Sequence, residues 1–191
     1  RDKKDWADRI TVAAIVVWKY LAVRERSGEI IKISEARHEK KIAERANEIS
    51  ARGDGSKVVR VAVTWAAGKT TFSKRLGVQL AVNGMRPYQV SLDDYFVDRE
   101  HTPKDEHGEY DFEALEAIDI EFFNHQLIEL FEGKEVRLPK FDFHSGKRIQ
   151  NGKTLKLDKD DILIVEGIHG MNPSLLTDVK EQNTFKIFIS A

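Results

Sequence analysis

The chain has 191 residues and a formal net charge of −1, from 31 basic and 32 acidic residues; 41% of it is apolar and it has no cysteine. A near-neutral balance excludes a global basic field for holding nucleic acid, and the missing thiols exclude disulfides and thiolate metal centres. The length suits one ordinary domain, or a domain with an appendage, and is enough to bury a core.

Residues 1–52 read as a helical segment and linker. The longest apolar stretch, Ile10 to Val23, contains Lys19 and falls short of the ~20 residues that a membrane span needs. No small-residue cleavage site follows it, so the expected location is the cytoplasm. Between Ser34 and Ile49 the apolar positions Ile42, Ala43, Ala46 and Ile49 form a helical stripe, with Ser34 as its expected N-cap. Arg52-Gly53-Asp54-Gly55 breaks that pattern and reads as a loop. The expected second domain covers residues 57–191. The chain opens on Arg1 and stops on Ala191 just after a strand-like run, so a fragment of a longer protein is expected.

From Lys57 onward strands and helices alternate. Val58–Thr64 is a β-branched run suited to a buried strand. Thr70–Val82 reads as a helix with Phe72, Leu76 and Leu80 on one side and Gly84 placed to end it. Tyr88–Leu92 reads as a second strand, Phe112–Phe131 as a long helix closed by Gly133, and Val136–Leu138 as a short strand. Gln150-Asn151-Gly152-Lys153 predicts a hairpin joining Lys147–Ile149 to Thr154–Leu157. Asp161–Ile168 and Thr184–Ser190 complete the strands. Such alternation predicts an α/β fold around a parallel sheet, with its active groups at the strands' carboxyl ends.

The strongest chemical signal is Ala66-Ala67-Gly68-Lys69-Thr70-Thr71, set between the first strand and the following helix. Phosphate binding calls for this arrangement: a tight loop aims backbone N–H groups at phosphate oxygens, and the helix N-terminus adds partial positive charge. Lys69 is placed to reach the β- and γ-phosphates of a nucleotide and the Thr70 hydroxyl to ligate Mg²⁺. Two residues depart from the pattern. Val63 stands where a glycine is usual and resists strained backbone conformations, and Trp65 puts a large ring into the loop.

Asp93 and Asp94 follow the second strand directly, in Ser91-Leu92-Asp93-Asp94-Tyr95-Phe96. A carboxylate there sits beside the phosphate loop, as general base or as metal ligand. Glu166 ends the apolar strand Ile162–Val165, and a carboxylate so placed is costly to bury without a partner such as Mg²⁺.

With these motifs in order, the chain from about residue 33 resembles the uridine kinase and phosphoribulokinase family of P-loop kinases. The matching stretches are Ser34–Ile49, Ala67–Leu76, Ser91–Arg99, Tyr110–Ala117, Leu138–Arg148 and Ile162–Gly170. Within that family it is similar to a bacterial branch whose N-terminal region looks like part of threonyl-tRNA synthetase. The resemblance implies a three-layer P-loop NTPase fold with a mainly parallel sheet, preceded by a helical segment. It also implies ATP and Mg²⁺ as cofactors and transfer of the γ-phosphate to a nucleoside 5′-hydroxyl, uridine or cytidine first.

By position, the resemblance makes Asp93 the base for the acceptor hydroxyl and Asp94 its non-catalytic neighbour. Thr70, Glu166 and Asp93 would share the Mg²⁺ environment, and Asp111 would meet the ribose hydroxyls. Phe141 would contact the nucleobase, with Tyr95 also on the acceptor side. His144, Arg148 and His169 lie where they can face ligand, or serve as loop and structural residues. The family's arginine-rich lid would lie beyond Ala191. The expected partners are ATP and a small-molecule acceptor, with neither membrane nor nucleic acid; homo-oligomers are compatible with this reading. Two alternatives stay open at this point. One is a regulatory nucleotide-binding module with a degenerate loop, the other a kinase of a different small alcohol such as pantothenate or a sugar phosphate.

Overall fold

The structure, a computed structural model, describes residues 27–53, 57–63, 69–177, 179 and 183–189. The chain divides into two compact units, Arg1–Lys41 and Ile42–Ala191. Helix α1, Ser27–Ala51, therefore contributes its last turns to the second unit. Those turns carry the stripe expected from sequence: Ile42, Ala46 and Ile49 are fully buried, and each isoleucine stabilises the fold by about 1.5–3 kcal/mol through burial. Ser34 lies inside α1 and caps nothing, because good helix formers flank it on both sides.

Four strands form the central sheet: β1 (Val58–Val63), β2 (Arg86–Ser91), β7 (Asp161–Glu166) and β8 (Thr184–Ile189). Their order is β2-β7-β1-β8, and all neighbours are parallel. The fold class is thus α/β with a parallel sheet, as expected. Helix α2 (Lys69–Val82) follows β1. Its Phe72, Leu76 and Leu80 pack with Ile42 and Ile49 of α1 against Val59, Val61, Ile162 and Ile164. At its end Gly84 takes φ 85°, and the Met85 N–H reaches back to the Leu80 carbonyl at 3.0 Å. Only glycine adopts that left-handed turn without a steric penalty.

The opposite face of the sheet holds Val58, Val90, Leu163 and Val165, covered by helix α3 (Ile120–Phe131) through Phe123, Leu127 and Leu130. At the amino edge the Arg86 Nε pairs with the Asp161 carboxylate at 2.8 Å, and the same carboxylate accepts from the Asp158 N–H at 2.7 Å. These contacts pin the start of β2 and β7 in register.

Two expectations fail between Phe112 and Leu157. The long helix starts at Ile120, not Phe112. Asp119 caps it by accepting from the Phe122 N–H at 3.0 Å, while residues 112–118 form turns whose Ile118 bridges to Phe96. The apolar residues of that stretch serve an irregular segment, so their spacing mimicked a helix. The Asn151-Gly152 hairpin is likewise absent. Strand β5 (Lys147–Ile149) pairs antiparallel with β4 (Lys140–Asp142), and β6 (Thr154–Leu155) with β3 (Val136–Arg137). Gly152 is needed for a different reason: a Cβ there would lie 2.1 Å from the Leu138 carbonyl oxygen. The true hairpin turn is Phe143–Gly146, which the Asp142 carboxylate closes by accepting from the His144 N–H and the Ser145 hydroxyl. No helix among the described residues is long and apolar enough to cross a membrane.

Candidate active site

Parallel pairing brings the candidate groups to one edge. On the last rung of β7 Glu166 lies between Val61 of β1 and Ser91 of β2. Side chains alternate along a strand, so Glu166 shares the α2 side with Ile162 and Ile164. It is 8% exposed. Two residues past Ser91, Asp93 stands half-buried on the 3₁₀ turn Leu92–Tyr95, whose Leu92 and Tyr95 are buried in the core. The sheet thus places Glu166, Asp93 and the end of β1 next to one another. Sequence motifs separated by some hundred residues meet here because β7 runs between β1 and β2.

The phosphate-loop residues Ala66, Ala67 and Gly68, together with Trp65, lie outside the described residues. Lys69 and Thr70 open α2 as its first two residues, and Thr71 follows as an exposed residue. The order strand, loop, helix N-terminus is the geometry that phosphate binding needs. Among the described residues no group of three or more His, Cys, Asp or Glu side chains is arranged to hold a metal. A protein cage is not what Mg²⁺ requires, since one or two carboxylates suffice when waters and substrate phosphates complete the shell. A buried carboxylate at a strand end, with a hydroxyl residue at the start of the neighbouring helix, is a hard-oxygen donor set that fits this ion.

Asp94 is engaged elsewhere. Its carboxylate pairs with the Lys140 ammonium at 3.0 Å and accepts from the Phe141 N–H at 3.3 Å, which ties the 3₁₀ turn to β4. Tyr95 points into the core, where its hydroxyl donates to Gln126 Oε1 at 2.9 Å and Gln126 Nε2 donates to the Arg137 carbonyl. Burial first, and the neighbouring Asp94 second, push the Tyr95 hydroxyl well above its ordinary pKa, so it stays a proton donor. Of the expected acceptor-side residues, Tyr95 therefore serves the packing of α3 against the turn.

Phe141 is also a core residue, 3% exposed. Its ring meets Phe96 at 5.5 Å, Phe143 at 5.1 Å and Phe112 at 6.3 Å between centroids. The ring of this cluster that faces solvent is Phe143, 57% exposed. Asp111 is half-buried; its Oδ1 accepts from the Glu113 and Ala114 N–H groups at 2.9 and 3.1 Å, shaping the loop that also exposes Tyr110. His144 is exposed at the hairpin tip. Arg148 is held: it pairs with Asp119 at 2.8 Å and stacks over the Phe122 ring at 4.5 Å. His169 is half-buried, and its buried Nε2 has no hydrogen-bond partner among the described residues.

Two residues escaped the sequence reading. Arg99 donates through Nη2 to the Phe143 carbonyl at 2.5 Å, and its backbone N–H reaches the Gly146 carbonyl at 2.8 Å, fastening the hairpin tip. Arg60 lies in β1 and is buried. The signal was a lone charge inside an apolar strand run.

A parallel sheet whose first strand is followed by a helix, with carboxylates at the sheet's carboxyl edge, is the frame of an α/β protein of the P-loop class. Residues 58–191 match the model of the phosphoribulokinase / uridine kinase family, and the chain belongs to that family. A uridine kinase of Staphylococcus epidermidis is 27% identical over 124 residues, 65% of this chain and 58% of that protein. A uridine kinase of Streptococcus uberis is 26% identical over 129 residues, 68% of this chain and 60% of that protein. The chain thus spans less than two thirds of the length of these relatives. A solved structure of a possible uridine kinase from Bacillus stearothermophilus shares the fold with a TM-score of 0.62, 24% identity, and coverage of 82% of this chain and 80% of that one.

Proposed function

We propose that this chain carries an ATP-dependent phosphotransferase centre acting on the 5′-hydroxyl of a nucleoside of the uridine or cytidine kind. The observation that carries the reading is the rung on which Glu166 lies between β1 and Ser91, two residues before Asp93. Family membership supports the phosphate donor, and the relatives named uridine kinase support the acceptor class.

In this reading the backbone amides of Ala66 to Thr71 and the Lys69 ammonium hold the ATP phosphates. Glu166 and Thr70, with Asp93 beside them, would hold Mg²⁺, which would supply positive charge to offset that of the ATP phosphates. Asp93 accepts the proton of the acceptor hydroxyl as its oxygen bonds to the γ-phosphorus, while the bridge to the β-phosphate breaks and ADP leaves. Positioning and electrostatics supply most of the acceleration in this reaction class. On the acceptor side Asp111 is the candidate for the ribose hydroxyls. Exposure favours Phe143 over Phe141 as the ring available to a base, with Phe141 backing it from the core.

Calorimetry of MgATP binding to the chain and to Lys69→Ala tests the donor half. Binding that vanishes in the variant is the expected result. Absence of binding by the unaltered chain would sink the reading.

A further inference from the structure

Arg60 lies between Val59 and Val61, which face α2, so strand alternation turns it to the other side of the sheet. It is 5% exposed. Its Nε donates to the Gly170 carbonyl at 2.6 Å and its Nη2 to the Asn172 carbonyl at 2.6 Å. Burying a guanidinium is unfavourable unless its donors are satisfied, so its place in a central strand calls for a reason beyond packing.

The two carbonyls belong to the turn that begins directly after Glu166. That turn is closed by the Gly170 N–H to the Gly167 carbonyl at 3.1 Å and by the Asn172 N–H to the His169 carbonyl at 2.8 Å. It is wedged on both flanks. On one side the Gly167 N–H meets the Val61 carbonyl at 3.2 Å, and a Cβ on Gly170 would come within 2.7 Å of the same oxygen. On the other, a Cβ on Gly167 would come within 2.7 Å of Leu92 Cδ1, in the residue that precedes Asp93. Within it His169 keeps a buried Nε2 that has no hydrogen-bond partner among the described residues.

We propose that Arg60 is a positioning residue for phosphoryl transfer: by clamping the 167–172 turn against β1 and Leu92, it sets Glu166 and Asp93 in fixed relation to each other. Its role in this reading is exerted through the turn, by its bonds to the Gly170 and Asn172 carbonyls. The inference rests on the reading of Glu166 as metal ligand and Asp93 as base. Without the clamp the turn can swing, and both carboxylates lose their shared reference.

The test compares the unaltered chain with Arg60→Met, Arg60→Lys and Gly170→Ala, the last pushing the same turn away from β1. Hydrogen exchange of the backbone is read beside steady-state kinetics across Mg²⁺ concentrations. In Arg60→Met the 92–95 and 167–172 amides should gain exchange together while β1, β7 and α2 keep their protection. The rate kcat should fall ~10–100-fold, the range for residues that orient metal ligands, with KM for ATP within about threefold. Gly170→Ala should reproduce the split, and Arg60→Lys should recover part of the rate. Unchanged exchange at 92–95 in a folded Arg60→Met would overturn the clamp, and so would equal losses in kcat and KM. If Arg60→Met does not fold, Arg60→Lys decides: wild-type exchange and wild-type Mg²⁺ dependence there would also overturn it. An unaltered chain without any transfer activity strikes the functional reading instead, and the exchange pattern still judges the clamp.

Discussion

The two halves of the candidate site are built by different means. On the proposed donor side Glu166 and the start of the Asp93 turn take their places from the sheet: one parallel rung sets Val61, Glu166 and Ser91 side by side. On the proposed acceptor side the regular pairing is short, three rungs between β4 and β5. The β4–β5 hairpin is held by Asp94 with Lys140, by Arg99 at the Phe143 carbonyl, by Arg148 with Asp119, and by the packed rings of Phe96, Phe112 and Phe141. Backbone ladders tolerate side-chain change, whereas a loop assembled from side-chain bonds can be reshaped by a few substitutions. A family that keeps one reaction while varying its acceptor would place its variation on the second kind of structure.

The largest effect expected from breaking this contrast is catalytic. Asp93→Asn removes the proposed base, and it should lower kcat by roughly 10²–10⁴-fold with calorimetric MgATP affinity within threefold. A loss of binding in step with activity would assign Asp93 to the donor side. Next comes the aromatic cluster. Phe141→Ala should cost about 3–5 kcal/mol in denaturant unfolding, as expected for a buried phenylalanine. Phe143→Ala should cost less than about 1 kcal/mol and should instead raise KM for the nucleoside; equal stability losses would erase the distinction between the two rings.

Smaller again is Tyr95→Phe. It removes the donor to Gln126 inside the core and should destabilise the fold by about 1–3 kcal/mol, the cost of a buried group left unpaired. The smallest effect is a matter of pH. The Ser145 hydroxyl first, and the His144 N–H second, hold the Asp142 carboxyl below its usual value of 3.8. A depressed carboxylate contributes order above its unfolded pKa and loses that contribution as pH falls through the folded one. The hairpin turn should therefore stay formed at neutral pH and loosen only below pH 3.8. Ser145→Ala should move the Asp142 titration seen by NMR back toward the ordinary value, and no movement would dismiss the hydroxyl as the cause.

What could be read from residues alone follows the same contrast. The parallel sheet was legible because Val58–Val63 and Asp161–Glu166 are apolar runs with helices between them, and because a loop ending in Gly68-Lys69-Thr70 needs a strand before it. Asp93 and Glu166 could be placed at one edge on topology alone. The acceptor side was not legible in the same way. Asn151-Gly152 carries the local signature of a hairpin, yet Gly152 is there for close approach to Leu138, and β5 and β6 pair with different strands. Phe112 and Leu115 have helical spacing but lie in turns, with Asp119 as the real cap. Phe141 and Tyr95 sit next to chemical groups in the sequence and turn out to be core. Arg60 passed as one polar residue in a strand, because its partners lie more than a hundred positions away. In each case a tertiary contact overrode a local preference, which no window of sequence displays.

The most direct test of the central claim is transfer of labelled γ-phosphate from ATP by the unaltered chain, with Mg²⁺ and a panel of nucleosides, beside Lys69→Ala. A labelled nucleoside 5′-phosphate that forms with the unaltered chain and not with the variant is the result the geometry predicts. MgATP binding with no labelled product from any nucleoside would contradict it.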